Sequence, residues 1–120
     1  AQINQRLNFL EEAERGYKRA IELGNYELST WLSRTDILIQ LGEPEAASLN
    51  LIQAAEFYPE NAEIEFRLSG IYYKLLETEK GSYHLKNAMR FNSEFLFIVE
   101  ELFPKVYHSV TFQKALKKIQ

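Results

Sequence analysis

The stretch Leu41-Gly42-Glu43-Pro44-Glu45-Ala46-Ala47-Ser48-Leu49-Asn50-Leu51-Ile52-Gln53-Ala54 decides the fold. Leu41-Gly42 reads as a helix end with glycine at its C-terminal cap, and Pro44 suits the first turn of the helix that follows. Ala47, Leu51 and Ala54 are spaced by four and then three residues, so they share one helical face. Small residues let two helices approach closely, and the large residue between them fills a neighbour's groove.

Working outward, the same triple recurs. Small residues stand at Ala13, Ala47, Gly81 and Ala115, each 34 positions after the last. Four residues after each comes a large apolar one, namely Tyr17, Leu51, Leu85 and Ile119. Three further on the residue is small again at Ala20, Ala54 and Ala88. Leu7, Leu41 and Leu75 share the frame, as do Ile37 with Ile71, Leu38 with Tyr72 and Val106, and Leu23 with Phe57 and Phe91. A single helical hairpin cannot bury its apolar face, whereas stacked copies can, and stacking demands one pattern at one period. So many positions in register argue against an accidental spacing in an ordinary bundle.

The breaks agree with that frame. Pro59-Glu60-Asn61 reads as a stop followed by an Asn N-cap, and Gly24-Asn25 as a similar break one period earlier. The pattern predicts helices near 1–8, 10–23, 26–41, 44–57, 62–76, 79–91, 94–103 and 110–119. Pro104 should end the seventh near Phe103, because proline inside a helix costs about 3 kcal/mol. Phe112, Ala115, Leu116 and Ile119 form the apolar face of the last helix, with Ser109 or Thr111 as its cap and Lys114, Lys117 and Lys118 on the wet side.

These residues resemble the tetratricopeptide repeat (TPR) family, whose first helix carries Trp-x2-Leu-Gly-x2-Tyr and whose second carries Ala-x3-Phe-x2-Ala before a proline. Here Trp31-x2-Arg34-Thr35-x2-Leu38 precedes Ala47-x3-Leu51-x2-Ala54-x4-Pro59, and Leu68-Ser69-x2-Tyr72 precedes Gly81-x3-Leu85-x2-Ala88. The first copy keeps Ala13-x3-Tyr17-x2-Ala20. The fourth departs most, with Phe103 where a small residue is wanted. The resemblance covers nearly the whole chain. It implies an all-α fold, a right-handed α-α superhelix (solenoid) of stacked antiparallel helix pairs with a 34-residue period. The domain is single, divided into a truncated first repeat at 1–27, repeats at 28–61 and 62–95, and an atypical fourth or C-terminal cap at 96–120.

The resemblance also implies a site. In the family the first helix of each pair lines a concave groove. Carried over, the lining is Ser29, Leu32, Ser33, Asp36, Ile39 and Gln40, then Glu63, Phe66, Arg67, Gly70, Tyr73 and Lys74. Phe97, Glu101, Tyr107 and His108 are weaker additions from the last unit. The core set for a partner is Leu32, Ser33, Asp36, Gln40, Phe66, Arg67, Gly70, Tyr73 and Lys74. Apolar platforms beside charged hydrogen-bonders suit peptide recognition. The alternative for Phe66 and Tyr73 is packing on the next repeat's first helix. One family subclass clamps the carboxylate of heat-shock chaperone tails, but of its residues only Arg67 is matched. Ser33 and Glu63 stand where Asn and Lys are wanted, so no chaperone-tail binding is expected.

Composition narrows the remaining classes. Of the 120 residues, 46% are apolar and 26% charged, with a net charge of −3 and no cysteine. Disulfides, thiolate metal sites and cysteine nucleophiles are excluded. A net negative chain is a poor nucleic-acid or anionic-lipid binder, and no apolar run approaches the ~20 residues of a membrane span. His84 and His108 lack metal-ligand spacing, no glycine-rich phosphate loop occurs, and pairs such as Glu11-Glu12 and Glu100-Glu101 diverge on a helix. Residues 43–65 hold six Glu and no Lys or Arg, whereas 67–90 hold five basic and two acidic residues. This is read as a solvated helix face or as an acidic patch for a basic partner.

The expectation is a non-enzymatic protein-interaction module or scaffold without cofactor or metal, cytoplasmic and part of a longer chain. Its partner is a protein or peptide, with no nucleic acid or membrane. Self-association through exposed array ends is a second route. The alternative class is a regulatory or substrate-binding segment of a larger enzyme.

Overall fold

The computed structural model describes residues 2–120, and among them there are helices and no strand. The elements are α1 (Gln2–Glu22), α2 (Leu28–Gln40), α3 (Pro44–Phe57), α4 (Ala62–Lys74) and α5 (Thr78–Asn92). A 3-10 turn (Ser93–Leu96) follows, then α6 (Phe97–Leu102), α7 (Pro104–Tyr107) and α8 (Val110–Ile119). Two compact units divide the chain, Ala1–Phe57 and Tyr58–Gln120.

In the first unit α1 is one continuous helix, where the sequence pattern gave two, near 1–8 and 10–23. Asn8-Phe9-Leu10 holds no proline or glycine, so nothing stops the hydrogen-bond ladder there. The expected start at residue 1 lies outside the described residues. α1 ends at Gly24, which takes φ +97°, with Gly24 N–H donating to the Ile21 carbonyl and Asn25 N–H to that of Ala20. The turn after α2 repeats this geometry. Gly42 takes φ +76°, its N–H donates to Ile39, and Glu43 N–H donates to Leu38. Both are the paired bonds of a Schellman end.

Ala47, Leu51 and Ala54 on α3 are fully buried, together with Trp31 and Leu38 on α2. A polar network crosses the same region. Buried Asn50 donates to the Trp31 carbonyl (3.0 Å) and to Thr35 Oγ1 (2.8 Å), and accepts from Arg34 Nη1 (2.8 Å). Arg34 Nε and Nη2 donate to Glu14 Oε1 at 3.2 and 3.0 Å, joining α1 to α2. Their side chains are only 16% and 17% exposed. Charge-assisted bonds in such a place are stronger than surface pairs.

In the second unit α4 has the 13-residue length of α2, and α5 begins at Thr78 as α3 begins at Pro44. Asn61 caps α4 by accepting from Ile64 N–H (3.0 Å). The turn after α4 makes the same paired bonds, Leu76 N–H to Tyr73 and Glu77 N–H to Tyr72, but with Leu76 at φ +62° where glycine is usual. Gly81, Leu85 and Ala88 are buried on α5, and Ser69 Oγ on α4 donates to the Gly81 carbonyl (2.9 Å).

The end of the unit follows Pro104. α6 stops at Leu102 as that proline requires, and Pro104 itself then opens the short α7, which the sequence pattern missed. Ser109 Oγ caps α8 by accepting from Phe112 N–H at 3.2 Å. Phe112 is fully buried, Ile119 half-buried, and Lys114, Lys117 and Lys118 are exposed.

Candidate functional site

On α2 the helix pitch turns Leu32 inward, where it is buried, and leaves Ser33 and Asp36 half-buried and Gln40 exposed. Gln40 Oε1 accepts from Arg6 Nη2 of α1 (3.2 Å). Ser33, Asp36 and Gln40 recur at three and four residues and share a face. The Leu32 side chain belongs to the core.

The α4 set lies deeper. Phe66, Gly70 and Tyr73 are buried, and Arg67 is only 8% exposed. Gly70 faces the Phe103 ring so closely that a Cβ there would lie 2.2 Å from Phe103 Cδ2. Tyr73 packs edge-on to Phe112, with ring centroids 5.4 Å apart, and its hydroxyl shares a hydrogen bond with Ser82 Oγ of α5. A Cβ at Gly81 would meet the same tyrosine ring at 2.6 Å. Arg67 Nη1 donates to the Glu63 carbonyl one turn back (3.1 Å). Gly70 and Tyr73 are therefore occupied by packing inside the unit. Tyr73 is covered by α5 and α8, not by the next repeat's first helix, which was the expected packing alternative.

Lys74 is different. It is exposed and lines a hollow of about 540 Å³ with Thr78, Leu102, Phe103, Lys105 and Val106. α4 supplies Lys74 at its last turn, Pro104 sets α7 so that Lys105 and Val106 edge the opening, and Phe103 forms its floor. The sequence signal for this hollow is Pro104, which ends α6 and opens α7 at its rim.

The weaker additions divide too. Phe97, Glu101 and His108 are exposed and Tyr107 is half-buried, its ring 5.7 Å from that of Phe112. His84 Nδ1 lies 3.2 Å from Glu65 Oε2, and Glu65 Oε1 accepts from Asn87 Nδ2. His84 stacks on Tyr72 with centroids 5.4 Å apart. This cluster ties α4 to α5.

Among the described residues no group of three or more His, Cys, Asp or Glu side chains could hold a metal ion, and no helix is long and apolar enough to cross a membrane. Comparison with protein-family models, with curated proteins and with solved structures found no match.

Proposed function

We propose that the chain is a protein-interaction module of the TPR kind, a right-handed solenoid of stacked helix pairs that holds a partner peptide or protein and catalyses no reaction. One observation carries the reading. The same hairpin occurs in each compact unit, with equal first helices, a left-handed residue at 42 and at 76, and buried small-large-small triples at Ala47, Leu51, Ala54 and at Gly81, Leu85, Ala88. Identical packing at equal intervals is what a hairpin needs if its neighbour is another copy of itself. Such arrays present extended surfaces rather than enclosed catalytic pockets. The absence of cysteine suits the reducing cytoplasm.

Of the expected lining, Ser33, Asp36 and Gln40 on the first unit and Lys74 on the second are half-buried or exposed, and each unit's residues are tested separately. The test is selection from a displayed random-peptide library against the folded 120-residue chain, with an unrelated helical bundle as control. Peptides enriched for this chain alone, and weakened by Ser33→Arg or Lys74→Glu, support the module. Enrichment no better than on the control ends the reading.

A further inference from the structure

A second hollow, of about 680 Å³, opens between α5 and α8. It shares Tyr73, Thr78 and Thr111 with the hollow beside Lys74, so the two form one continuous cleft on the second unit. Lys74 and Lys105 stand around the first part, and Lys86, Lys114 and Lys118 around the second, while no Asp or Glu lines either. All five lysines are exposed, and none makes an ion pair or hydrogen bond among the described residues. Glu77 and Glu79 flank the α4–α5 turn but do not line the cleft, and Glu77 pairs with Lys80 at 3.4 Å.

This sorting stands out against the whole. The chain carries a net charge of −3, yet residues 104–120 contain four lysines and no acid. Soluble surfaces ordinarily intersperse both signs, and a one-sign cleft concentrates an opposite charge. We propose that this cleft binds an acidic peptide segment of a partner protein, its carboxylates over the lysines and its apolar side chains on the floor.

The arrangement selects that ligand. Lys114 and Lys118 sit one turn apart on α8, about 6 Å, and Lys86 faces them from α5. Lysines strung along two walls suit carboxylates strung along a chain, whereas a single phosphate is held by converging donors. Phe103, Ala115 and Ile119 give an apolar floor, Val106 an apolar edge, and Thr78 and Thr111 offer hydroxyls to a peptide backbone. Single-stranded nucleic acid needs open rings for its bases, and Tyr73, the ring common to both hollows, is buried under Phe112. The inference deepens the protein-binding reading and rests on it.

The test uses the full chain and a fluorescent twelve-residue peptide alternating Glu and Leu, with a Lys/Leu peptide and a labelled oligo(dT) as comparison probes. The acidic peptide binds best, its affinity falls as salt rises, and Lys114→Glu/Lys118→Glu weakens it about tenfold. Lys18→Glu, on α1, leaves it unchanged. Circular dichroism establishes that each variant is folded. Equal binding of the acidic and basic peptides, tighter binding of the oligonucleotide, or an unaffected double variant would overturn the proposal. If library-selected peptides bind the chain and ignore Lys114→Glu/Lys118→Glu, the cleft is refuted while the module stands.

Discussion

A methyl group added at Gly70 would lie 2.2 Å from the Phe103 ring, while one added at Gly16 would meet nothing within 4 Å. The same substitution therefore has opposite signs. Gly70→Ala forces a rigid, buried ring to move and should destabilise by about 1–3 kcal/mol. Gly16→Ala, on the exposed side of α1, should stabilise by about 0.5–1 kcal/mol through helix propensity. Urea midpoints measured on both variants check the pair, and a stabilising Gly70→Ala would contradict the close crossing. Leu76 makes the complementary case. It is 84% exposed, so it gains little from burial, yet it holds φ +62°. A left-handed conformation costs an L-residue about 1–2 kcal/mol, of which chain entropy returns part on mutation to glycine. Leu76→Gly should thus raise stability by about 0.5–1 kcal/mol, as Gly42 already does at the matching turn.

Elements were legible where punctuation is chemical. Gly42-x-Pro44 and Asn61 mark the ends of α2 and the starts of α3 and α4, because caps act on backbone groups within one turn. The break expected near residue 9 is absent for the converse reason, since no proline, glycine or cap there enforces it. The site was less legible. Leu32, Phe66 and Tyr73 have the same apolar chemistry whether they face a ligand or another helix, and only the neighbour decides. For Tyr73 the neighbour is Phe112, 39 positions away in the sequence, beyond any helical period. Phe112 and Leu116 are the buried residues of α8. Phe112→Ala should destabilise by about 3–5 kcal/mol, and loss of the Ser109 cap in Ser109→Ala by about 1 kcal/mol. Thermal or chemical unfolding of the two variants should reproduce that order, and a larger effect at Ser109 would place the weight on the cap instead.

Across the whole molecule, charge separates along the chain, with six Glu and no basic residue in 43–65 against four Lys and no acid in 104–120. What recognises a partner is thus expected to be salt-sensitive. A carboxylate clamp for chaperone tails needs several converging cations, and the one residue that matches, Arg67, is buried and bonded to its own helix. Calorimetric titration with such a tail peptide should show no binding in the micromolar range, and a micromolar isotherm would reverse that assignment.

Trp31, the only tryptophan, lies 2% exposed in the first unit, its indole N–H without a hydrogen-bond partner among the described residues and its ring 5.9 Å from that of Phe57. The protein consequently carries a built-in optical label on one half of its length. Emission from this fluorophore should be blue-shifted in the native state and should track the melting of residues up to Phe57, whereas ellipticity at 222 nm follows every helix. The temperature gap between those two curves reads out directly how cooperatively the halves come apart.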